Sequence, residues 1–564
     1  MRLFALLAAC LFGLFLTACS REVPIRAEVI YTGGTIYTGA KDSETVEAVA
    51  VGDGMIVYAG TMANAIKASR DGAKIIDLGD SVMFPGFTDA YVHLGGVGQR
   101  ELTLNLDQVR SVEELKASLL AYKEFHADLT GIQGRGWIET HWPEKRFPTA
   151  ADIDAVIADI PVILVRADGH ALVANTKAME VAGITAETPA PKGGAILKDE
   201  GSDLPNGMFV DMAMALLQPV FADPTDEEVK KAVETGLDVY ASRGWTGLHN
   251  MSVSEAELKA LGELSFEVKL PLRTYNAVVP EMIDYAIKRA PSGALLTTRA
   301  VKLYVDGALG SRGALLLEPY SDAPDTSGLA LTSGEETGLI FQKALKNDVQ
   351  VAMHAIGDRG NKLVLDWMED AFKVYQAAVE NAKDDAKHPD VRWRIEHSQI
   401  VRAEDRQRFA DLGVIASMQP SHAIGDLYFA PSRLGIDRLD RAYAWSDMIK
   451  RGVIVAGGSD APVEVGDPII EFYAATVRKS LDGFSAEGWH PEYALSRYDA
   501  LRLFTQFAAY ASFQEETLGT IETGKFADFS VFDQDLMKVA DEDILKTKPV
   551  MTIVGGKVVW EKAR

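Results

Sequence analysis

Short apolar runs that end in histidine, aspartate or lysine recur along the middle of this chain, and amphipathic helical stretches separate them. Strand candidates are residues 162–165, 301–305, 350–353, 394–396, 414–418 and 453–456, and helical candidates include 112–125, 227–242 and 497–512. Alternation of strand and helix implies parallel βαβ units. Roughly 400 residues of such units exceed a minimal α/β barrel, but barrels with insertions reach that size. The pattern therefore predicts an α/β protein with a large parallel barrel.

The two ends of the chain differ from the middle, because short β segments alternate there with glycine turns. These segments are 29–32, 48–51 and 55–59 near the beginning, and 529–532, 550–554 and 557–560 near the end. Runs of this length with glycine and aspartate between them are typical of hairpins. We therefore expect both ends to form one small sheet domain.

The composition excludes several classes of protein. Of the 564 residues, 47% are apolar, which is far too many for a disordered chain. The 57 basic and 81 acidic side chains give a net charge of −24, which argues against a nucleic-acid partner. The 2 cysteines are too few for a disulfide framework or a cysteine-based zinc site.

The first residues resemble a bacterial lipoprotein signal. Arg2 precedes an apolar run, Leu3–Leu16, that is too short to span a membrane comfortably. Small residues then lead directly to Cys19, as in a lipobox, where cleavage precedes a cysteine whose thiol is lipidated. We expect removal of residues 1–18 and attachment to the membrane through this lipid only, in the bacterial cell envelope. Ser20 favours the outer membrane, facing the periplasm, and an ordinary secretory signal with a chance cysteine is the alternative.

Metal-competent side chains occupy the ends of the predicted barrel strands. Tyr91 and His93 share one face, because alternate residues of a strand point the same way. Lys302 is predicted to face inward, and a buried lysine is costly unless it is paired or modified. Further strand-end candidates are His354, His397 and Asp460. A single such histidine is more often structural, but the ordered set of histidines and carboxylates predicts a divalent metal site without cysteine.

Ordered motifs run from about residue 28 to the end of the chain. They include PGFTDA at 85–90, GRGW at 134–137, DGHA at 168–171, VKLYVDGALGSR at 301–312, HAIGD at 354–358, IEH at 395–397, SMQP at 417–420 and GSDAPV at 458–463. In these motifs the chain resembles the amidohydrolase superfamily. Within it the chain resembles the branch of YtcJ-like proteins and N-substituted formamide deformylases, amidohydrolase family 3.

The resemblance implies a (β/α)8 TIM barrel with a small β-sandwich domain formed by both chain ends. The expected units are residues 19–83 and 513–564 for the two parts of the sandwich, and residues 84–512 for the barrel with its insertions. The resemblance also implies one or two divalent metal ions per chain, with zinc as the expected metal, and a small-molecule substrate. It leaves the oligomeric state open.

The same resemblance implies roles for the strand-end residues. His93 would bind one metal, and His354 and His397 would bind the second. Lys302, as an N-carboxylated lysine, would bridge the two. Asp460 would bind a metal and act as catalytic base, taking a proton from water whose pKa the metal lowers and returning it to the leaving nitrogen. The implied reaction is hydrolysis of an amide-like carbon–nitrogen bond, other than a peptide bond, in a small molecule.

One position departs from the family pattern, because Tyr91 occurs where the first strand is expected to carry a second histidine. Tyrosine binds a metal only as a phenolate, and its pKa is normally about 10. Tyr91 would therefore be a weak ligand, and the metal site that uses His93 would lose affinity. The alternative to hydrolysis is a degenerate barrel that binds a small ligand without cleaving it, since fold alone does not determine function.

Four further residues are candidate substrate-binding residues: Trp137, His170, Arg312 and His422. The resemblance places the segments of Trp137, His170 and His422 near the pocket. Arg312 could bind a substrate carboxylate, although a structural ion pair is an equal alternative. For His422 the alternative is a loop residue without a role in binding.

Overall fold

The computed structural model describes residues 25–563, apart from residues 127, 192, 383–389 and 486–488. The predicted signal segment 1–18 and the predicted lipidation site Cys19 lie outside the described residues, so the anchor and the envelope location stay predictions. No helix in the described part of the chain is long and apolar enough to cross a lipid bilayer.

The strands form three sheets. The first six strands are β1 (Ala27–Tyr37), β2 (Thr45–Gly52), β3 (Met55–Gly60), β4 (Ser69–Asp77), β5 (Val82–Pro85) and β6 (Phe87–Val92). The next six are β7 (Leu104–Asn105), β8 (Ile132–Trp137), β9 (Val162–Arg166), β10 (Ala171–Ala174), β11 (Gly194–Lys198) and β12 (Pro205–Asp211). The remaining strands are β13 (Trp245–Val253), β14 (Arg273–Val278), β15 (Leu296–Tyr304), β16 (Gln350–Ala355), β17 (Arg394–His397), β18 (Ile415–Met418), β19 (Val455–Gly457), β20 (Phe529–Phe532), β21 (Pro549–Val554) and β22 (Lys557–Glu561).

The α-helices lie between and around these strands. The first eight are α1 (Met62–Ala68), α2 (Leu94–Leu102), α3 (Val112–Phe125), α4 (Ala150–Asp154), α5 (Thr176–Val181), α6 (Asp226–Arg243), α7 (Glu255–Phe266) and α8 (Ile283–Lys288). The others are α9 (Gly334–Lys346), α10 (Asp358–Ala382), α11 (Ala403–Leu412), α12 (Pro420–Asp426), α13 (Ala430–Leu434), α14 (Trp445–Lys450), α15 (Pro468–Val477), α16 (Arg497–Leu503) and α17 (Gln506–Ala511). Short 3₁₀ helices span Glu139–His141, Met212–Val220, Pro280–Met282, Ile436–Arg441, Pro491–Tyr493 and Asp541–Lys546.

The central sheet is an eight-stranded parallel barrel, in the order β19-β18-β17-β16-β15-β14-β13-β6. Hydrogen bonds at the carboxyl ends of its first and last strands bring the two edges together. The Asp460 N–H donates to the Tyr91 carbonyl at 2.7 Å, and the His93 N–H donates to the Ala461 carbonyl at 2.9 Å. The predicted (β/α)8 barrel is confirmed.

The second sheet is made by both ends of the chain, in the order β22-β21-β20-β5-β1-β2-β3, with β4 alongside β1. Alternate residues of β1 pack on opposite faces, as expected for a strand. Ile30 packs with Ala48 and Ala50 on one face, whereas Tyr31 packs with Val49 and its neighbours on the other. The prediction that both ends form one small β domain is confirmed.

The third sheet is an insertion between β6 and β13, in the order β11-β12-β10-β9-β8-β7. The sequence prediction treated the segment 162–165 as a strand in the βαβ series of the barrel, and this was wrong. The segment belongs to β9, which pairs antiparallel with β10 across a short turn. On its other side β9 pairs parallel with β8, and neither neighbour is a barrel strand, so β9 belongs to a separate mixed sheet.

Helix α6 packs against the barrel and is defined at both ends by its sequence. Thr225 and Glu228 form reciprocal side-chain to backbone hydrogen bonds at its beginning, and Gly244 ends it in the left-handed conformation with φ 98°. Its buried face includes Val233, Leu237 and Tyr240, at the spacing of an amphipathic helix. Because Tyr240 is on this face, its hydroxyl reaches the interior of the barrel.

A buried ion pair joins the terminal sheet to the barrel. Arg273 at the beginning of β14 donates from Nε and Nη2 to the two carboxylate oxygens of Asp528, at 2.5 and 3.0 Å. Asp528 also accepts a hydrogen bond from the Gly555 N–H at 2.7 Å. The two side chains are only 8% and 4% exposed, so solvent does not screen the pair.

We predict that Asp528→Asn lowers the free energy of unfolding by about 3–5 kcal/mol, because Arg273 keeps its charge in a buried place without a counter-charge. Denaturant unfolding followed by circular dichroism measures this change. Asp541→Asn is the matched control, since Asp541 pairs with Arg497 at 2.7 Å but is 63% exposed. Equal midpoints for the two variants would contradict the prediction.

Candidate metal centre

A cavity of about 410 Å³ lies over the carboxyl ends of the barrel strands, the face that carries function in TIM barrels. His354, His397 and Asp460 form its floor. The inserted sheet forms one wall, through Gly136, Ile138, Arg166, Ala167, Asp168 and His170. Apolar side chains complete the lining, among them Leu309, Ile424, Phe429, Val463 and Ile470. The cavity therefore combines a polar floor with a largely apolar wall.

Asp89 fixes the relative position of the first and last strands beneath this cavity. Its carboxylate accepts from the N–H of Tyr91 at 3.0 Å, the N–H and hydroxyl of Ser459 at 2.9 and 2.6 Å, and the Tyr240 hydroxyl at 2.9 Å. Burial raises the pKa of Asp89 to about 6, although these four donors oppose that rise. Asp460, which follows Ser459, is thereby held next to the end of the first strand.

Tyr91 is buried beside the predicted metal ligands. Its ring makes edge contacts with the rings of His93 and His397, at centroid distances of 5.5 and 5.1 Å. Burial and the charge of Asp460 raise the pKa of Tyr91 well above its usual range, so the phenol stays neutral. In the described structure Tyr91 therefore acts as a packing residue.

His93 lies between a carbonyl and a carboxylate. Its Nδ1 is 3.1 Å from the Met251 carbonyl oxygen, and its Nε2 is 3.4 Å from Asp460 Oδ1. Because a carbonyl only accepts hydrogen bonds, Nδ1 carries a hydrogen, and Nε2 is directed at the carboxylate. His93 is therefore oriented for Nε2 to bind a cation next to Asp460.

Lys302 is fully buried in the interior of the barrel. Its Nζ lies 3.6 Å from the centroid of the Tyr304 ring and has no hydrogen-bond partner among the described residues. Burial lowers the pKa of Lys302 to about 7, although the charge of Glu396 opposes the shift. A substantial fraction of this lysine is therefore an uncharged amine near neutral pH.

Asp306 lies behind the ring of His354. Its carboxylate accepts three backbone N–H hydrogen bonds, from Leu315 at 2.8 Å, Ile356 at 3.0 Å and Gly357 at 2.8 Å. Its Oδ1 is also 3.6 Å from His354 Nε2. This separation is longer than a hydrogen bond, so His354 Nε2 has no hydrogen-bond partner among the described residues.

His397 lies at the centre of a group of histidine rings. Its centroid is 4.4 Å from that of His354 and 5.7 Å from that of His422. Both of its ring nitrogens are buried without a hydrogen-bond partner in the part of the chain that the structure describes. Burial lowers the pKa of both His354 and His397 well below the usual range, so both rings are neutral and able to bind a metal.

His422 on α12 joins this group, although the sequence predicted only a substrate-binding residue there. Its Nε2 is 3.2 Å from Asp460 Oδ2, and its Nδ1 is 2.9 Å from Glu464 Oε1. Burial lowers the pKa of His422, but hydrogen bonds to the two carboxylates outweigh it and raise the pKa well above its usual range. His397, His422 and Asp460 each offer a ligand atom within 4.8 Å of the others.

The residues present fit a divalent cation. Buried polar atoms are almost always hydrogen-bonded in proteins, and leaving one unpaired costs about 1–3 kcal/mol. Here the unpaired atoms include Lys302 Nζ, His354 Nε2, Asp460 Oδ1 and both ring nitrogens of His397, within the described residues. Neutral imidazoles and a carboxylate that converge in this way are a typical donor set for zinc.

The inserted sheet brings His170 to the cavity, as predicted. Its Nδ1 is 2.8 Å from Asp211 Oδ1, and its backbone N–H donates to Asp168 at 3.0 Å. Arg166 in turn pairs with Asp168 and with Glu139. Asp211 has φ 48°, a conformation that costs energy for a residue other than glycine. These contacts hold the ring so that Nε2 is left for the cavity.

Two other predicted pocket residues are not brought to the cavity. Trp137 is fully buried in the core of the inserted sheet, where its indole N–H donates to the Leu164 carbonyl at 2.9 Å. Its neighbour Ile138 lines the cavity instead, because adjacent residues of an extended chain point to opposite sides. Arg312 forms a structural ion pair with Asp322 at 2.9 Å and is not among the described lining residues.

The sequence analysis did not identify three carboxylates that lie next to histidine rings of the site: Asp211, Asp306 and Glu464. For Asp306 a signal was present, because it shares a strand face with Lys302 and directly follows the strand end. Glu464 follows Asp460 by four residues, but nothing local indicates that it contacts His422. Asp211 and His170 are 41 residues apart, so only the fold brings them together.

Known proteins are similar to this chain over most of its length. The sequence profile of the amidohydrolase family matches residues 74–560. The YtcJ protein of Bacillus subtilis is 32% identical over 546 residues, which cover 95% of this chain and 100% of YtcJ. The N-substituted formamide deformylase of Arthrobacter pascens is 26% identical over 561 residues, covering 95% of this chain and 98% of that protein. The crystal structure of an uncharacterised metal-dependent hydrolase from Pyrococcus horikoshii matches with a TM-score of 0.73 and 28% identity, over 91% of this chain and 99% of that one.

We predict that Gly458→Ala separates the two strand ends at the cavity floor. A Cβ at this position would lie 2.4 Å from the Tyr91 backbone nitrogen and 2.9 Å from Asp89 Oδ1. Overpacking of this kind should lower the free energy of unfolding by about 1–3 kcal/mol. Gly338→Ala on α9 is the control, because nothing lies within 4 Å of its Cβ, and alanine should stabilise that helix slightly. Thermal denaturation of both variants tests the prediction, which fails if Gly458→Ala melts like the wild type.

Proposed function

Because the chain belongs to the amidohydrolase family, we propose that it is a metal-dependent hydrolase of a carbon–nitrogen bond, other than a peptide bond, in a small molecule. The observation that carries this proposal is the convergence of unpaired, buried ligand atoms at the carboxyl end of the barrel. The similarity to a deformylase and to a metal-dependent hydrolase supports the choice of reaction.

The residues that would hold the metal are those of the cavity floor. His354 and His397 supply neutral imidazoles, and Asp460 supplies a carboxylate. His93 and Lys302 are positioned to complete one or two sites, with zinc as the proposed metal. When bound, such an ion acts as a Lewis acid and lowers the pKa of water, which generates a nucleophile near neutral pH.

Asp460 is the proposed catalytic base. Burial raises its pKa, but the hydrogen bond to His422 and the proximity of His93, 3.4 Å from Oδ1, outweigh that effect and hold the pKa well below its usual range. The carboxylate is therefore ionised at neutral pH, and its Oδ1 has no hydrogen-bond donor among the described residues. Asp460 Oδ1 can accept a proton from the attacking water and pass it to the leaving nitrogen.

Lys302 is proposed to be N-carboxylated. Formation of a carbamate needs an uncharged amine, and burial gives Lys302 a pKa of about 7. The modification would convert a buried amine without a hydrogen-bond partner among the described residues into an anion beside the metal ligands. It would also remove the cost of burying a potential cation in the barrel.

His170 is proposed to bind the substrate from the opposite wall. Asp211 accepts the Nδ1–H of its ring, so Nε2 is left for a hydrogen bond to the substrate. The apolar side chains of the cavity lining suit an apolar group on the substrate. The cavity therefore fits a small secondary amide with an apolar substituent.

Binding without hydrolysis is the alternative function, and the specific observation in its favour is Tyr91. The neutral phenol of Tyr91 occupies the position expected for an imidazole ligand of the first strand. If this loss prevented metal binding, the barrel would retain a cavity suited to a small ligand but no means of activating water.

We predict that purified protein contains at least one divalent metal ion per chain and hydrolyses members of a panel of small N-substituted amides. Removing the metal with a chelator should abolish turnover, and zinc should restore it. Metal content is measured by mass spectrometry, and turnover by release of the amine. Less than one metal per chain together with no amide turnover would favour ligand binding without hydrolysis.

We also predict that Asp460→Asn reduces the rate of amide hydrolysis by roughly 100-fold or more, because the proton acceptor is lost.

We predict that Tyr91→His raises the number of metal ions bound per chain. The new imidazole would share a face with His93 and lie next to Asp460, so that the first strand could hold an ion of its own. Tyr91→Phe is the matched control, because it keeps the ring and adds no ligand atom. If metal stoichiometry and rate are unchanged in Tyr91→His, the departure from the family pattern has no effect on the metal centre.

A further inference from the structure

We propose that His422 is itself a metal ligand, through Nε2, in a site shared with His397 and Asp460. In this site His422 replaces the imidazole that the first strand lacks. The inference rests on the proposed function, because it concerns the same metal centre, but it assigns a ligand that the family resemblance does not.

The hydrogen-bond chemistry around His422 requires a positive charge at Nε2, either the proton of an imidazolium ring or a metal ion. The Glu464 carboxylate only accepts hydrogen bonds, so the 2.9 Å contact places a hydrogen on His422 Nδ1. In the neutral ring Nε2 then carries a lone pair, and it faces Asp460 Oδ2 at 3.2 Å. Two acceptors do not approach to this distance unless a proton or a metal ion lies between them. A divalent metal satisfies both acceptors at once.

His397 adds a third donor atom from the other side. Its ring is nearly parallel to that of His422, with an interplanar angle of 18°, and its two nitrogens are unpaired within the described residues. Each member of the trio offers a ligand atom within 4.8 Å of the others. Three protein ligands of the nitrogen and oxygen type, with a fourth position open to the cavity, are the arrangement of a catalytic zinc site.

The first strand does not supply an imidazole to this site in place of His422. The Tyr91 ring lies between His93 and His397, makes T-shaped contacts with both rings, and has no ring nitrogen that could bind a metal. His93 faces the other oxygen of Asp460, Oδ1, at 3.4 Å. The two carboxylate oxygens of Asp460 therefore face different histidines, Oδ1 facing His93 and Oδ2 facing His422.

Glu464 is the positioning residue for this ligand. It fixes the hydrogen on Nδ1 and the orientation of the ring, as carboxylates behind metal-bound histidines commonly do. Its position on the segment that follows Asp460 links the two ligands through one short stretch of chain. The pair also explains why His422, on the short helix α12 after β18, keeps its ring directed at the cavity floor.

The test compares zinc affinity, measured by competition with a chromophoric chelator, among full-length variants. His422→Asn should lower the affinity by more than about 100-fold, beyond the roughly 10- to 100-fold loss typical of changes behind a ligand. Glu464→Gln should fall within that smaller range. His490→Asn is the matched control, because His490 contacts Glu492 at 2.7 Å in the same way outside the cavity, and it should keep wild-type affinity.

A crystal of the wild-type protein grown with zinc provides a second measurement that needs no variant. An anomalous peak about 2.0–2.1 Å from His422 Nε2 is the expected result. Zinc bound by other residues, with His422 still between Glu464 and Asp460, overturns the inference and leaves the proposed hydrolase intact. Wild-type zinc affinity in His422→Asn would likewise overturn the inference and leave the proposed hydrolase function intact. A wild-type protein that binds no zinc contradicts the proposed function itself.

Discussion

Closure of the barrel around a buried carboxylate is the constraint on which the site depends. The last barrel strand, β19, has only three residues, Val455–Gly457, so backbone pairing alone holds it weakly. Asp89 adds four hydrogen bonds that connect the first strand, the end of the last strand and helix α6. Because His93 and Asp460 directly follow these strand ends, the same contacts determine the distance between them.

The floor and the wall of the cavity come from different layers of the fold. The barrel supplies rings and carboxylates on short strand ends, where neighbouring strands fix their spacing. The inserted sheet supplies His170 on a turn that Arg166 and Asp168 hold in place. Since the insertion lies between β6 and β13, it can change the wall without changing the floor. This division would separate the residues proposed to activate water from those proposed to select a substrate.

The sequence was informative wherever a local period or a strand end carried the signal. His93, Lys302, His354, His397 and Asp460 were all predicted from polar residues at the ends of apolar runs. The structure places His354, His397 and Asp460 in the lining of one cavity, His93 next to Asp460, and Lys302 near the Tyr91 ring. The barrel and the two-ended terminal sheet followed from the same reasoning. These features depend on residues that are close together in the chain, which is why a single sequence reveals them.

Features that depend on distant parts of the chain could not be predicted in this way. The segment 162–165 looks like a barrel strand by itself, and only its pairing with β10 shows that it belongs to the insertion. Trp137 is in a motif that approaches the cavity, but its side chain faces the opposite side of the strand. Glu464 resembles any other surface acid until the fold places it against His422.

The buried carboxylates of the barrel differ in how many hydrogen-bond donors surround them. Asp89 and Asp306 are fully buried, and each is saturated by hydrogen-bond donors that the fold provides. Asp460 lies on the same face of the barrel, yet one of its oxygens has no donor among the described residues and the other faces a histidine. A fold that provides three or four donors to neighbouring carboxylates could provide them here as well. Their absence at one carboxylate and at the adjacent His397 ring is therefore a property of the site, and it matches the demand of a positively charged ion for lone pairs.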